Sequence, residues 1–180
     1  MSLLIVFLSI QSRSINIDYL TEVYNRKRLD GYIKEKISSS QPNKTFSAIM
    51  VDMDNFKFIN DNYGHDMGDN VLKISAGLLK KCIGAKNFIA RYGGDEFCLV
   101  LDISNEGDLN RIISKIKDCV ETFNKSSGLP CSLELSMGYA VYDYNSQMSA
   151  EDFEKHIDVL MYENKKNKKR ELVAAQSADG

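Results

Sequence analysis

A chain of 180 residues, 43% hydrophobic and 27% charged, is large enough for one soluble domain with a real core. Its net charge of −2 excludes the broad positive field that a nucleic-acid polymer would need. Four scattered cysteines (Cys82, Cys98, Cys119, Cys131), no Cys-x-x-Cys pair and two histidines argue against a structural zinc site and for buried, reduced thiols in a cytosolic domain.

In chain order, the first feature is the apolar run Leu3–Ile10, too short to span a bilayer and without a basic flank. Residues 1–17 are read as the inner end of a membrane helix, a helical connector to an upstream sensor, or a segment packed on the domain. Residues 24–38 follow as a helix with Leu29, Tyr32, Ile33 and Ile37 on one side, and 46–52 as a buried strand. Two helices are predicted over 55–62 and 67–83, the second with Val71, Ser75, Leu78 and Cys82 at helical spacing.

Residues 87–102 form a predicted hairpin around Gly93-Gly94, a pair able to take positive φ at both central positions and so match the strand twist. Helix 106–124 carries an apolar stripe of Leu109, Ile112, Ile113, Ile116, Cys119, Val120 and Phe123. A strand over 131–142 and a helix over 149–167 with a basic end complete the domain; 171–180 is small, polar and read as a flexible tail. This order predicts an α+β sheet with helices packed on it and no internal repeat.

Two acidic clusters stand out. Asp95 and Glu96 leave the hairpin turn just before a buried strand, which a plain hairpin does not need. Asp52 and Asp54 end the first buried strand. Brought together, they make an oxygen-rich site suited to Mg²⁺ held by one or two carboxylates plus substrate phosphates. Two such ions about 3.5–4 Å apart can clamp the attacking and leaving oxygens of a phosphoryl displacement. By themselves Asp52-x-Asp54 serve equally well as a helix cap.

Five motifs in order resemble the GGDEF domain of diguanylate cyclases over roughly residues 18–170. They are Asp18-Tyr-Leu-Thr-Glu-Val-Tyr-Asn-Arg26; the block from Asp52 to Asp69 with Phe56-Lys57, Ile59-Asn60-Asp61 and Gly64-His65; the loop Arg91-Tyr92-Gly93-Gly94-Asp95-Glu96-Phe97; Leu135-Ser-Met-Gly138; and the closing helix from Asp158 to Lys169. The resemblance implies a five-stranded, mainly antiparallel sheet flanked by helices, like the palm of polymerases and the nucleotidyl cyclases (a ferredoxin-like arrangement).

It also implies condensation of two GTP into cyclic di-GMP, a second messenger, with release of two pyrophosphates. Each domain would bind one GTP, and the 3′-hydroxyl of one would attack the α-phosphate of the other. Because the product is two-fold symmetric, a homodimer of half-sites is the implied working unit. The expected setting is a cytoplasmic output domain, one that could belong to a membrane-anchored signalling protein with its sensor upstream.

By the same resemblance, Asp52, the Met53 carbonyl and Asp95 would hold Mg²⁺ or Mn²⁺, two ions per half-site. Asp95 or Glu96 would take the proton of the attacking hydroxyl. Asn60 and Asp69 would read guanine; a serine is common at the latter position in a branch that also takes ATP, so Asp69 favours GTP. Lys57, Arg91, Lys165 and Lys169 would contact phosphates, with Gly93 and Gly94 beside the substrate. His65 is expected to order its loop rather than move protons, and Lys165 and Lys169 read almost as well as a solvated helix end.

Three departures from the family pattern are visible. Glu22 replaces a glycine, Lys168-Lys169-Arg170 replaces a closing Gly-Arg-Asn, and Gly84-Ala85-Lys86-Asn87 replaces the Arg-x-x-Asp of product inhibition. Feedback through that last site is therefore not expected. The rival reading is a catalytically silent GTP-binding module that regulates an attached or partner domain.

Overall fold

The computed structural model describes residues 15–84 and 86–178, so the apolar run 3–10 lies outside the described residues. Five strands, β1 (Tyr24–Asn25), β2 (Ser47–Met53), β3 (Phe88–Gly93), β4 (Glu96–Leu101) and β5 (Leu135–Val141), form one sheet in the order β1-β3-β4-β2-β5. β1 runs parallel to β3 and the other pairings are antiparallel. The helices are α1 (Arg26–Ser39), α2 (Phe56–Tyr63), α3 (His65–Ile83), α4 (Glu106–Ser126) and α5 (Ala150–Ala178).

Every residue of β2 is buried, because the strand is covered on both faces. Ile49, Val51 and Met53 share one core with α3 and α4, through Val71, Leu72, Leu79, Leu109, Ile113 and Ile116. Ala48 and Met50 point the other way, into a core with Leu29 and Ile33 of α1 and Phe153, Ile157 and Met161 of α5. The alternation along β2 puts Asp52 on the α1/α5 face, where it is paired in register with Glu96 on one side and Ser136 on the other.

Gly138 sets how closely α5 lies on that face. A Cβ there would stand 2.1 Å from both the Ile157 carbonyl oxygen and the Met161 nitrogen, so the helix backbone rests directly on the strand. One turn beyond Met161, α5 delivers Lys165 to the end of β2.

Several boundaries differ from the sequence reading. The first helix starts at Arg26, because Asn25 caps it by accepting from the Arg28 N–H at 3.1 Å, and Tyr24 instead joins the sheet and stacks on Phe88. The last strand begins at Leu135 rather than 131. α5 continues to Ala178, into the segment assigned to a tail. Of the four cysteines, all free, Cys82 and Cys98 are buried while Cys119 and Cys131 are only partly so. Among the described residues no helix is long and apolar enough to cross a membrane.

Candidate active site

The hairpin β3–β4 turns through Gly94-Asp95, and Gly93 pairs with Glu96 after a register shift that starts at Arg91. Neither Gly93 nor Gly94 adopts positive φ, contrary to the expectation of a left-handed Gly-Gly turn. The register irregularity supplies the local twist that such a turn would otherwise provide. The glycines matter here for space: a Cβ on Gly93 would stand 3.1 Å from Glu96 Oε2, and one on Gly94 would meet nothing within 4 Å.

Arg91 holds this turn shut. Its Nε and Nη2 donate to the Gly94 carbonyl at 3.0 and 2.7 Å, and its Nη1 lies 3.3 Å from both oxygens of Asp18. Burial pulls the Asp18 carboxyl up, but hydrogen bonds from Thr21 and the Arg91 charge outweigh it and hold it below the usual range. The guanidinium assigned to phosphate by resemblance is thus engaged within the protein. Asp18, its partner 73 positions away, carries no signal in the sequence beyond membership of the first motif.

At the end of β2 the Met53 N–H donates to the Asp95 carbonyl at 3.3 Å, which joins the two acidic clusters. Lys165 Nζ lies 2.5 Å from Asp52 Oδ1, and Lys168 Nζ lies 2.8 Å from Asp54 Oδ2 and 2.6 Å from the Leu135 carbonyl. Ser136 Oγ donates to the other Asp54 oxygen at 2.7 Å. Asp54 is therefore a fastening between β2, β5 and α5, not a helix cap; Asn55 holds the first position before α2 in a left-handed conformation (φ 60), with no capping hydrogen bond from its side chain. Lys168 was missed from the sequence because its neighbours on a basic helix end read the same way.

Asp54 and Lys168 line a pocket of about 270 Å³ together with Met53, Lys57, Asp95, Lys165 and Lys169. Glu96, one residue on, faces a different pocket of about 440 Å³ between α1 and α5, with Tyr92, Glu154 and Asp158. The turn thus splits the two adjacent acids between two environments.

Electrostatics follow from this packing. Burial pushes the Asp52 carboxyl up; the Lys165 ammonium pulls it back, while Asp95 and Asp54 add to the rise. Lys165 is pulled down by burial, yet Asp52, Asp54 and Asp95 leave it raised overall. Glu96 is raised, first by burial and then by Asp52, Asp95 and Asp158.

The guanine candidates lie elsewhere, at the corner between α2 and α3. Asn60 is half-buried beside Gly68 and Asp69 is exposed. His65 is exposed at the first position of α3. The structure thus brings Met53, Lys57, Asp95, Lys165 and Lys169 around one pocket, with Asp52 tied to its Lys165. Glu96 lies on the neighbouring pocket and Asn60 and Asp69 at the helix corner.

The family "Diguanylate cyclase, GGDEF domain" matches residues 15–171. The chain belongs to the GGDEF domain family. Among curated relatives, it is 30% identical over 141 residues to diguanylate cyclase DosC of Escherichia coli K12, covering 77% of this chain and 31% of DosC. It is 34% identical over 160 residues to the probable diguanylate cyclase DgcF of the same strain, covering 83% of this chain and 48% of DgcF. The chain therefore spans 31% and 48% of the length of these two relatives.

Among solved structures, the coiled coil and GGDEF domain of DgcB from Caulobacter crescentus, bound to c-di-GMP, superposes with a TM-score of 0.82 at 24% identity, covering 91% of this chain and 87% of that one; this likeness shows the fold. Diguanylate cyclase SiaD of Pseudomonas aeruginosa, solved with its activator SiaC, gives 0.79 at 26% identity, covering 90% and 62%. The five-stranded sheet flanked by helices is the GGDEF fold, a palm-like nucleotidyl cyclase arrangement, and it is mixed through the parallel β1–β3 pair.

Proposed function

We propose that this GGDEF domain is catalytically competent and condenses two GTP into cyclic di-GMP and two pyrophosphates across a homodimer of half-sites. The observation that carries the reading is the intact Gly93-Gly94-Asp95-Glu96 hairpin, whose Asp95 backbone is hydrogen-bonded to Met53 at the end of the β2 strand that bears Asp52. Nothing in the hairpin is degenerate, which favours catalysis over the silent GTP-binding alternative.

The donor set suits a hard divalent ion. Asp52 and Asp95 offer carboxylates and Met53 a carbonyl, all oxygens. Among the described residues no three His, Cys, Asp or Glu side chains stand close enough to hold an ion unaided. One or two carboxylates with phosphates completing the shell would suit Mg²⁺ or Mn²⁺. When bound, the metal would stabilise charge on the transferring phosphoryl group and lower the pKa of the attacking hydroxyl.

The residues of this chain do the rest. Lys57, Lys165 and Lys169 line the pocket as cations for a triphosphate. Lys165 leaves Asp52 for phosphate as the substrate enters, an exchange of one anionic partner for another. Gly94 leaves its flank open for close approach of the phosphates. Asn60 and Asp69 read the guanine: the Asp69 carboxylate accepts from the N1–H and N2–H₂ edge, which adenine lacks.

Glu96 acts as general base: it leaves the turn beside Asp95 in register with Asp52, and burial with these acids raises its carboxyl. The 3′-oxygen gives its proton to Glu96 and forms a bond to the α-phosphorus, while the bond from that phosphorus to pyrophosphate breaks. A second, symmetry-related transfer closes the ring. Arg91 acts as a positioning residue for the turn. At the former product site, Asn87 is spent on the Ile83 carbonyl at 2.5 Å, and no feedback through it is proposed.

The test is incubation of the purified protein with GTP and Mg²⁺, followed by nucleotide chromatography. Cyclic di-GMP should form at a rate rising more steeply than linearly with protein concentration. GTP binding without product at high concentration would instead establish the silent module.

A further inference from the structure

Gly64 is the single residue between α2 and α3, with φ 82; it ends one helix and starts the next. Its N–H donates to the Asn60 carbonyl at 3.0 Å, and its own carbonyl accepts from the Gly68 N–H at 3.2 Å. Positions 60 and 68 therefore lie one turn to either side of the corner and face each other across it. A Cβ built on Gly68 would stand 2.0 Å from Asn60 Oδ1, 3.0 Å from its Cγ and 3.3 Å from Phe56 Cζ. The Asn60 amide occupies the space that any other residue at 68 would fill.

Nothing else holds that amide. Among the described residues the Asn60 side chain makes no hydrogen bond, whereas Asn62, on the same helix, donates to the Phe58 carbonyl at 2.9 Å. Its location rests on packing between Phe56 and the bare α-carbon of Gly68, with both polar atoms left for a ligand. The next residue is Asp69, on the same turn of α3.

We propose that Gly68 is a specificity-determining positioning residue: its missing side chain is the seat that aims the Asn60 amide at guanine beside Asp69. This rests on the guanine-reading role given above to Asn60. The clash that a methyl group creates falls on the end of a rotatable side chain, not on backbone, so Asn60 swings away and the helices stay where they are. The consequence is lost nucleotide recognition, not lost folding. Gly77, further along α3, is the control, because a Cβ there meets nothing within 4 Å.

The experiment compares wild type, Gly68→Ala, Asn60→Ala, the double variant and Gly77→Ala. GTP affinity is read by calorimetry, KM and kcat by turnover, and the Asn60 side-chain amide by NMR in the ligand-free protein. Gly68→Ala should move the Asn60 amide resonance and raise KM about tenfold, with kcat within about twofold. Asn60→Ala should show the same loss, and the double variant no more than Asn60→Ala alone, since both remove one interaction. Gly77→Ala should bind as wild type.

Unchanged GTP affinity in Gly68→Ala, or a double variant that multiplies the two single losses, would overturn the role of Gly68 while leaving the proposed function standing. A wild-type protein that binds no guanine nucleotide would remove the proposed function and this inference together. If Gly68→Ala failed to fold while the double variant folded, the steric seat would be established by stability instead.

Discussion

The two ends of the proposed GTP site are built by opposite means. At the phosphate end, Asp52 and Asp54 are tied to Lys165 and Lys168 of α5, Asp54 also to Ser136, and the turn carbonyl of Gly94 to Arg91. That end is half-buried and dense in charge, and Asp52 and Lys165 are both raised in proton affinity there. At the guanine end, Asn60 is placed by shape alone and Asp69 stands in solvent. One end is held by electrostatics in a low-dielectric setting and the other by a helix corner, so damage to them should differ in kind. Breaking the first should stop chemistry, while breaking the second should blur recognition.

The largest effect should come from the charged end. Glu96→Ala is expected to lower kcat by about 10³-fold while circular dichroism and unfolding midpoint stay at wild-type values. Loss of folding instead would make the hairpin acid structural and erase the contrast between the two ends.

Next in size is a stability effect on the same face of the sheet. Glu154 of α5 is only 9% exposed. Burial, joined by Asp30 and opposed by Arg26 and Lys34, pushes its carboxyl from 4.5 up to about 7. The folded state holds this proton more tightly than the unfolded state, so the stabilisation is fully present below pH 4.5 and is lost as pH rises through 7. Glu154→Gln should flatten that decline and leave the variant more stable than wild type at pH 8 by up to about 3 kcal/mol. Urea unfolding at pH 5 and pH 8 measures it.

A smaller effect is expected at the guanine end. Asp69→Ser should weaken GTP binding about 10- to 100-fold and narrow the preference over ATP, with kcat at saturating GTP largely kept. A kcat loss as large as that of Glu96→Ala would show that the corner also serves the chemistry.

The smallest prediction concerns the loop that braces the hairpin through Asp18. Glu22 sits at φ 57, in the left-handed region where its side chain is strained, at the position where the family carries glycine. Glu22→Gly should stabilise the domain by about 1 kcal/mol in denaturant unfolding and leave activity unchanged.

The family, the cores and the chemistry on offer are all written in local sequence. Buried runs such as 46–52 and the stripe on α4 are one-dimensional patterns, because burial imposes a period that local sequence must carry. The roles of Asp52, Asp95, Glu96, Asn60 and Asp69 are proposals, but the motifs that contain these residues are legible because each has a fixed spacing. Element ends were less so: Asn25 caps a helix that periodicity alone would have started at Tyr24.

Which charges meet depends on packing between elements distant in the chain. Arg91 and Asp18 are far apart in the chain, as are Lys168 and Asp54, and no local pattern marks either pair. Lys168 meets Asp54 because α5 rests on the bare backbone of Gly138, and Arg91 meets Asp18 because the parallel β1–β3 pairing sets Asn25 beside Arg91. The same holds for the turn, where adjacent acids enter different pockets because consecutive residues at a strand end project differently. Local physics chooses the side chains that a site can use, but packing across the sheet chooses their partners, since pairing energies depend on distances that the chain sets only when folded.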